Sequence, residues 1–203
     1  MIALDANGAD GGPALVAEGG SLAGCPVTLF GSAAELAGAA LPVEDAPETI
    51  GNDEDPALAA RSRENASIVR AAKAVAAGEA DGLVSAGSTG AALAASVLHI
   101  KRIRGVHRPA VAVLAPVPGG PTLLLDVGAN TDVRPEHLVQ FAYMGAAFME
   151  AVHGVEFPRI GLLSVGEEAK KGTEVVVAAH ERLAAGSLDF AGNVEGKDIT
   201  AGV

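Results

Sequence analysis

The sequence predicts a three-layer α/β/α domain built on a mainly parallel sheet. First, short apolar runs of strand length recur along the chain and are apolar almost throughout, as in strands covered on both faces. Second, these runs alternate with segments of helical period, the order that right-handed crossovers impose on parallel strands. Third, hydrophobic residues make up 49% of the 203, aromatics only 3%, and 26 residues are glycine. Cores of Ala, Val and Leu suit close packing of helices on a sheet. The length allows one sizeable core or two small ones. Neither an internal repeat nor a linker interrupts residues 1–203, so a single domain is expected.

The strands are read in order at 2–4, 27–30, 82–85, 110–115, 122–126, 159–165 and 189–193, and the helices at 13–23, 32–38, 56–77, 89–100, 135–152 and 172–185. Pro56 and Pro135 each follow a boundary residue and occupy a first helical position, where a missing N–H costs nothing. The segment 104–126 breaks the alternation, and "PVPGGP" predicts a hairpin-like excursion there. The chain ends on "GKDITAGV", a turn with an apolar run just starting, so it is expected to be the N-terminal portion of a longer protein.

Composition excludes several classes. With a net charge of −11 and no basic patch standing out, a nucleic acid partner is not expected. An acidic field also repels an acidic protein unless a local basic spot offsets it. One cysteine, Cys25, rules out an intrachain disulfide framework and any multi-cysteine zinc site. The start "MIALDANGAD" has no basic region before Asp5, and no apolar run approaches membrane-spanning length. A cytoplasmic chain is expected, with contact at the inner face of the membrane left open.

In an open parallel sheet, ligands bind where strand ends meet helix starts. Four loops here share that position: "DANGADGGP" (5–13), "SAGSTGA" (85–91), "DVGANTDVRPEH" (126–137) and "GEEAKKGTE" (166–174). Each is rich in glycine or small polar residues and precedes a helix, a combination that offers backbone N–H groups to an anion. In the second, Ser85, Ser88 and Thr89 supply hydroxyls, while Gly87 and Gly90 let the backbone approach a ligand; the ordinary alternative is a glycine turn with Ser88 or Thr89 as helix cap. It is neither a Walker A loop nor GxGxxG. For Asp126 and Asn130 the alternatives are an Asx-type turn or a polar cluster beside an anion. Arg134 and His137 start the next helix, where cations oppose the dipole and are either solvated or engaged with a ligand. Lys170 and Lys171 are either part of a solvated charged loop or directed inward. The histidines lack metal-ligand spacing.

Taken together, "IALDANGADGGP", "DGLVSAGSTGA", "RPAVAVLAP", "LLLDVGANTDVRPEHLVQFAYMG", "PRIGLLSVGEEAKKGTE" and "FAGNVEGKDI" resemble, in order and spacing, the PlsX family of bacterial phosphate acyltransferases. The resemblance covers residues 2–203. It departs where the family reads Met-Gly-Gly-Asp-His after the first Asp-Ala, here Asn7 to Gly11, and where it carries Asn in place of Ser88. Family chains are also considerably longer. The resemblance implies an isocitrate/isopropylmalate dehydrogenase-like fold and transfer of a fatty acyl group from acyl-carrier protein to inorganic phosphate. It implies neither metal nor other cofactor, and a homodimer when full length. Carried over residue by residue, it gives Lys171, Asn130 and Asp126 catalytic roles. Asp126 would organise its turn, Asn130 would donate to phosphate or the thioester oxygen, and Lys171 would offset developing charge. Asp5, Asn7, Gly8, Ser85, Gly87, Ser88, Thr89, Gly90, Arg134 and His137 would bind substrate, all four loops lining one cleft. Two alternatives remain: a phosphate acetyltransferase-like enzyme using acyl-CoA, and a non-catalytic fragment that binds phosphate or carrier.

Overall fold

The structure, a computed structural model, describes residues 1–118 and 120–201. The fold is mixed α/β, and its residues group into two compact units, Met1–Ile103 and Arg104–Val203.

The first unit is a four-stranded parallel sheet of β1 (Ile2–Asp5), β2 (Val27–Gly31), β3 (Val43–Asp45) and β4 (Gly82–Ser85), in the order β3-β2-β1-β4. Side chains alternate across β1. Leu4 joins Ala17, Val27, Leu29 and Leu36 on the face covered by α1 (Gly12–Ser21). Ala3 joins Phe30, Ala71, Ala74 and Ala80 on the face covered by α3 (Ser67–Ala76). Helices therefore lie on both faces, the arrangement that makes continuous apolar strands stable. Alanines dominate the α3 side, which lets the helix sit close to the strands. The crossover after β1 uses one face and the one before β4 uses the other. Strand order consequently reverses between β1 and β4, and a crevice opens at their carboxyl ends.

The remaining helices of this unit depart from expectation in instructive ways. The single helix read over 56–77 is two, α2 (Pro56–Ser62) and α3, because residues 63–66 leave the helical path. There Ala66 bridges Glu48, the Ser67 N–H donates to the Glu48 carbonyl at 3.0 Å, and Arg63 pairs with Glu54. Tertiary pairing overrides local helical preference at this point. Residues 33–38 form turns instead of a helix, and β3, only three residues long, carried no apolar run to announce it. The segment 89–100 begins as α4 (Thr89–Ala95) and widens into a π-helical turn, Ser96–Ile100.

The second unit holds the expected hairpin, β5 (Ala112–Val117) antiparallel to β6 (Gly120–Leu125); residue 119 of its turn lies outside the described residues. A 19-residue helix, α5 (Pro135–His153), follows and ends at Gly154. Next come β7 (Ile160–Leu163), α6 (Glu174–Ala184) and β8 (Phe190–Val194), a parallel pair with its crossover helix, and then α7 (Gly196–Ala201). Leu162, Ala179 and Leu183 make the core between β7 and α6, with Leu138 and Ala142 of α5 packed on it. The short α7 was not read from the sequence. Among the described residues, six of the eight strands pair in parallel, the hairpin being the exception.

Candidate active site

In the first unit, Asp5 and Ser85 are register partners at the carboxyl ends of β1 and β4. The Ser85 hydroxyl donates to Asp5 Oδ2 at 2.7 Å and accepts from the Gly87 N–H at 3.1 Å. Asp5 is buried and also accepts from the Ser67 side chain and from the Asn7 N–H at 3.4 Å. Burial pushes its carboxyl above the ordinary range, and the hydrogen bonds from Ser67, Ser85 and Asn7 only partly oppose this. Asn7, also buried, donates its side-chain amide to the carbonyls of Ala46 at 3.1 Å and Glu48 at 3.5 Å. Asp5, Asn7 and Ser85 thus fix two loops to one another.

The surface left for a ligand is mainly backbone. A Cβ on Gly87 would lie 3.1 Å from the Asn7 carbonyl oxygen and 3.5 Å from the Gly8 carbonyl carbon, so the two loops touch backbone to backbone. Gly87 is thereby required for loop-on-loop packing. Gly90 faces the Pro56 ring, 3.3 Å from a Cβ built there. Ser88 is the helix cap: its Oγ accepts from the Ala91 N–H at 3.4 Å. Thr89, the neighbouring hydroxyl, is exposed and makes no hydrogen bond through its side chain among the described residues. The first-turn N–H groups of Thr89 and Gly90 have no intrahelical acceptor. This loop can therefore present neutral donors, two backbone and one hydroxyl, to an anion.

In the second unit, Asp126 follows β6 and gathers five hydrogen bonds. Its Oδ1 accepts from the N–H groups of Val111 at 2.8 Å, Gly128 at 3.3 Å and Ala129 at 3.0 Å. Its Oδ2 accepts from the Asn130 N–H and side-chain amide, both at 2.9 Å. Partial burial pushes this carboxyl up, but the bonds from Val111, Asn130 and Ala129 together hold it below the ordinary range. The Asx-type turn is thus realised, and Asp126 organises it as expected. Asn130 uses both amide hydrogens within the protein, to Asp126 and to the Pro109 carbonyl at 2.8 Å, and Arg108 reaches its Oδ1 at 3.5 Å. The geometry makes Asn130 a brace between two segments before it is a donor to anything else.

Arg134 and His137 separate. Arg134 is the exposed N-cap residue of α5, and its backbone N–H donates to His137 Nδ1 at 3.1 Å. His137 is buried at the third helical position, so its Nδ1 acts as the capping acceptor.

The loop after β7 is built to display its lysines. Glu167 pairs with Lys197 at 3.3 Å, and Lys197 also holds Glu195 at 2.7 Å; these two carboxylates raise the Lys197 ammonium above its usual range. The Glu168 carbonyl accepts from buried Asn193 at 2.8 Å, and Asn193 Oδ1 lies 3.0 Å from His180 Nδ1. No ion pair to Lys170 or Lys171 exists among the described residues, and both are exposed. The stem of Lys171 lies back across Gly166, where a built Cβ would meet Lys171 Cγ at 3.1 Å, and the Lys171 carbonyl accepts from Ser164 at 3.1 Å.

Ser67 in the first unit, and Arg108, Asn193 and Lys197 in the second, support these loops and carry no local sequence signal; each acts on a partner distant in the chain. The described residues contain no group of three or more His, Cys, Asp or Glu placed to hold a metal ion. None of their helices is long and apolar enough to cross a membrane.

In fold, the chain is similar to a branched-chain phosphotransacylase from Enterococcus faecalis, with a TM-score of 0.62 and 18% identity over 96% of this chain and 68% of that one. It is equally similar to a phosphotransacetylase from Staphylococcus aureus, at 0.62 and 19% over the same shares. In sequence it is 44% identical to the phosphate acyltransferase of Pelotomaculum thermopropionicum over 99% of this chain and 62% of the relative. The corresponding protein of Desulforamulus reducens is 42% identical over 99% and 64%, and that of Bacillus licheniformis 44% over 100% and 64%. The chain thus spans less than two thirds of the length of these curated relatives. The model of the family described as "Fatty acid synthesis protein" matches residues 1–203, and with it the resemblance to PlsX proteins is borne out: the chain belongs to that family, alongside the phosphate acyltransferases.

Proposed function

We propose that the protein moves a fatty acyl group from acyl-carrier protein to inorganic phosphate, giving acyl phosphate for phospholipid synthesis. The observation that carries this reading is the family match from end to end of the chain, with relatives called phosphate acyltransferases at 42 to 44% identity. The site chemistry supports it. A phosphate oxygen attacks the thioester carbonyl carbon, a C–O bond forms, and the carbonyl oxygen takes up negative charge. Collapse of that intermediate breaks the C–S bond, and the departing thiolate takes a proton from solvent. The nucleophile and leaving group are both adequate, so the protein's part is to hold phosphate and stabilise the oxyanion. In the first unit, the neutral donors at Thr89 and Gly90 suit the holding of an anion; in the second, Lys171, which has no ion pair among the described residues, suits the offsetting of negative charge.

The test is phosphate-dependent formation of acyl phosphate by the full-length enzyme, trapped as the hydroxamate. Acyl-carrier protein and acyl-CoA are offered in parallel. Transfer from the carrier is expected to exceed transfer from acyl-CoA; absence of any acyl phosphate would sink the proposal. A preference for acyl-CoA would favour the second reading, a phosphotransacylase-type enzyme, whose support is the fold likeness alone.

A further inference from the structure

From Gly82 to Leu125 the chain contains no Asp or Glu, although 25 acidic residues are spread through the rest and the net charge is −11. Lys101, Arg102, Arg104 and Arg108 all fall within this stretch. In the first unit it includes the π-helical turn Ser96–Ile100 and the three residues after it. Two uncommon backbone features meet here. Helices widen to π geometry rarely and often at functional places, and Lys101 takes φ +73°, a region that side-chain-bearing residues seldom occupy. His99 keeps its Nε2 buried, and Lys73 of α3 and Glu64, a pair 3.7 Å apart, act on its charge in opposite senses. The aliphatic residues around it face out. Val97, Leu98 and Ile100 are each more than a third exposed, and Ile103 is 80% exposed.

Single exposed aliphatics are ordinary, but four within seven residues, interleaved with cations, form a surface of a definite kind. Apolar contacts combined with arginine are the composition of protein interfaces. The sign of the charge selects the partner. A chain of net charge −11 repels an acidic protein over most of its surface, and only a local cationic spot can receive one. Position adds a second constraint. The helix that ends in this patch begins at the Ser88–Thr89 loop, and its twelve residues span roughly 18 Å at 1.5 Å per residue. A protein seated at the far end would need a long flexible arm to bring a thioester to the loop, and such an arm is what an acyl carrier has.

We infer that residues 97–103 dock the acidic face of the protein that carries the acyl group. The inference rests on the acyl-carrier reading above and deepens it. The test compares full-length enzyme with the Lys101→Glu/Ile103→Ser variant, both positions being exposed and outside the site loops. With acyl-carrier protein as donor, KM is expected to rise at least tenfold at unchanged turnover; with a small acyl-pantetheine thioester, both constants should stay the same. Added salt should raise the wild-type KM for the carrier and leave that of the variant nearly flat. An unchanged KM for the carrier, or an equal loss with both donors, overturns the docking surface. So does a lowered melting temperature or a changed oligomeric state at unchanged KM, which would assign the patch to contacts within or between enzyme chains. Loss of binding to phosphatidylglycerol vesicles at unchanged carrier KM would assign it to a membrane and equally overturn the inference. If wild-type enzyme forms no acyl phosphate from either donor, the functional reading fails first. Calorimetric binding of the carrier to wild type and variant then judges the surface by itself.

Discussion

Asp5 closes β1 and Asp126 immediately follows β6, each leading into a short turn containing glycine and asparagine, and their surroundings push them in opposite directions. Asp5 is buried, held by the hydroxyls of Ser67 and Ser85, and its carboxyl is raised. Asp126 is half-exposed, held largely by backbone N–H groups, and its carboxyl is lowered. Hydroxyls can serve a protonated or an ionised acid, whereas a ring of N–H groups serves only acceptors. The first arrangement ties strands together and tolerates a neutral carboxyl. The second requires the anion. Loops elsewhere in the two units differ likewise: neutral donors at Thr89 and Gly90 in one, and in the other the ammonium groups of Lys170 and Lys171, which have no ion pair among the described residues. Positive charge is supplied in one unit and fixed neutral donors in the other.

The comparison breaks most visibly at Lys171. Its stem lies back over Gly166. In the full-length enzyme, Lys171→Ala is expected to lower turnover on the order of 100- to 1,000-fold, the usual loss of one preorganised group that stabilises an oxyanion. Lys170→Ala should leave turnover within about twofold, and circular dichroism should show both variants folded. Equal small effects would mean that the pair is only a solvated loop.

Next in size is the Asp126 turn. Asp126→Ala leaves the N–H groups of Val111, Ala129 and Asn130 without their acceptor and frees Asn130 from one side. A loss of roughly 2 to 3 kcal/mol in urea unfolding is expected, in line with partly buried donors left unpaired. A loss below about 0.5 kcal/mol would show that water replaces the carboxylate and that the turn holds itself.

Much of this was legible in the sequence, and what was not has a common physical cause. Strand positions, the hairpin and the proline-started helices were readable because each depends on residues within a few positions. The break at 63–66 was not, because Ala66 and Ser67 answer to Glu48, far behind them in the chain. The site divides the same way. Asp126 as organiser of its own turn is a local fact and was read correctly. Asn130 and His137 look like ligand-facing groups in the sequence, yet Asn130 is engaged by Pro109 and Arg108, and His137 caps its own helix. Which of two adjacent hydroxyls caps a helix, or which lysine folds back, depends on backbone direction to within one residue.

The opposed carboxyls predict opposed pH dependences. The unfolded value for both is 3.8. Asp5 has a raised folded pKa. Below 3.8 it is protonated in both states; as pH climbs from there the unfolded chain ionises first, and stability falls until the folded carboxyl ionises too. Asp126 has a lowered folded pKa. Its contribution is complete above 3.8 and is lost as pH falls from 3.8 through the folded value. Urea unfolding from pH 3 to 6, done for wild type, Asp5→Asn and Asp126→Asn, should therefore give difference curves of opposite slope. Relative to wild type, Asp5→Asn should gain as pH rises above 3.8, and Asp126→Asn should lose as pH rises toward it. Parallel slopes would show that the two aspartates share one environment after all.

The smallest effect separates Ser88 from Thr89. Ser88 Oγ accepts from the Ala91 N–H at 3.4 Å, a long bond, so Ser88→Ala should cost about 0.5 kcal/mol of stability, the low end for a lost cap. Its side-chain acceptor is already turned toward the helix, and phosphate affinity should change less than twofold. Thr89 is the reverse case. Its hydroxyl is exposed and makes no bond among the described residues, so Thr89→Val keeps the shape of the side chain and removes only a donor. Stability should stay within about 0.5 kcal/mol, the range of surface substitutions. Phosphate affinity, by contrast, should fall about fivefold, the equivalent of one modest hydrogen bond of about 1 kcal/mol. Calorimetric titration with phosphate and urea unfolding of the two variants decide it. If Ser88→Ala weakens phosphate and Thr89→Val does not, the cap hydroxyl turns to the ligand when the ligand binds, and the neutral donors of this loop include Ser88 in place of Thr89.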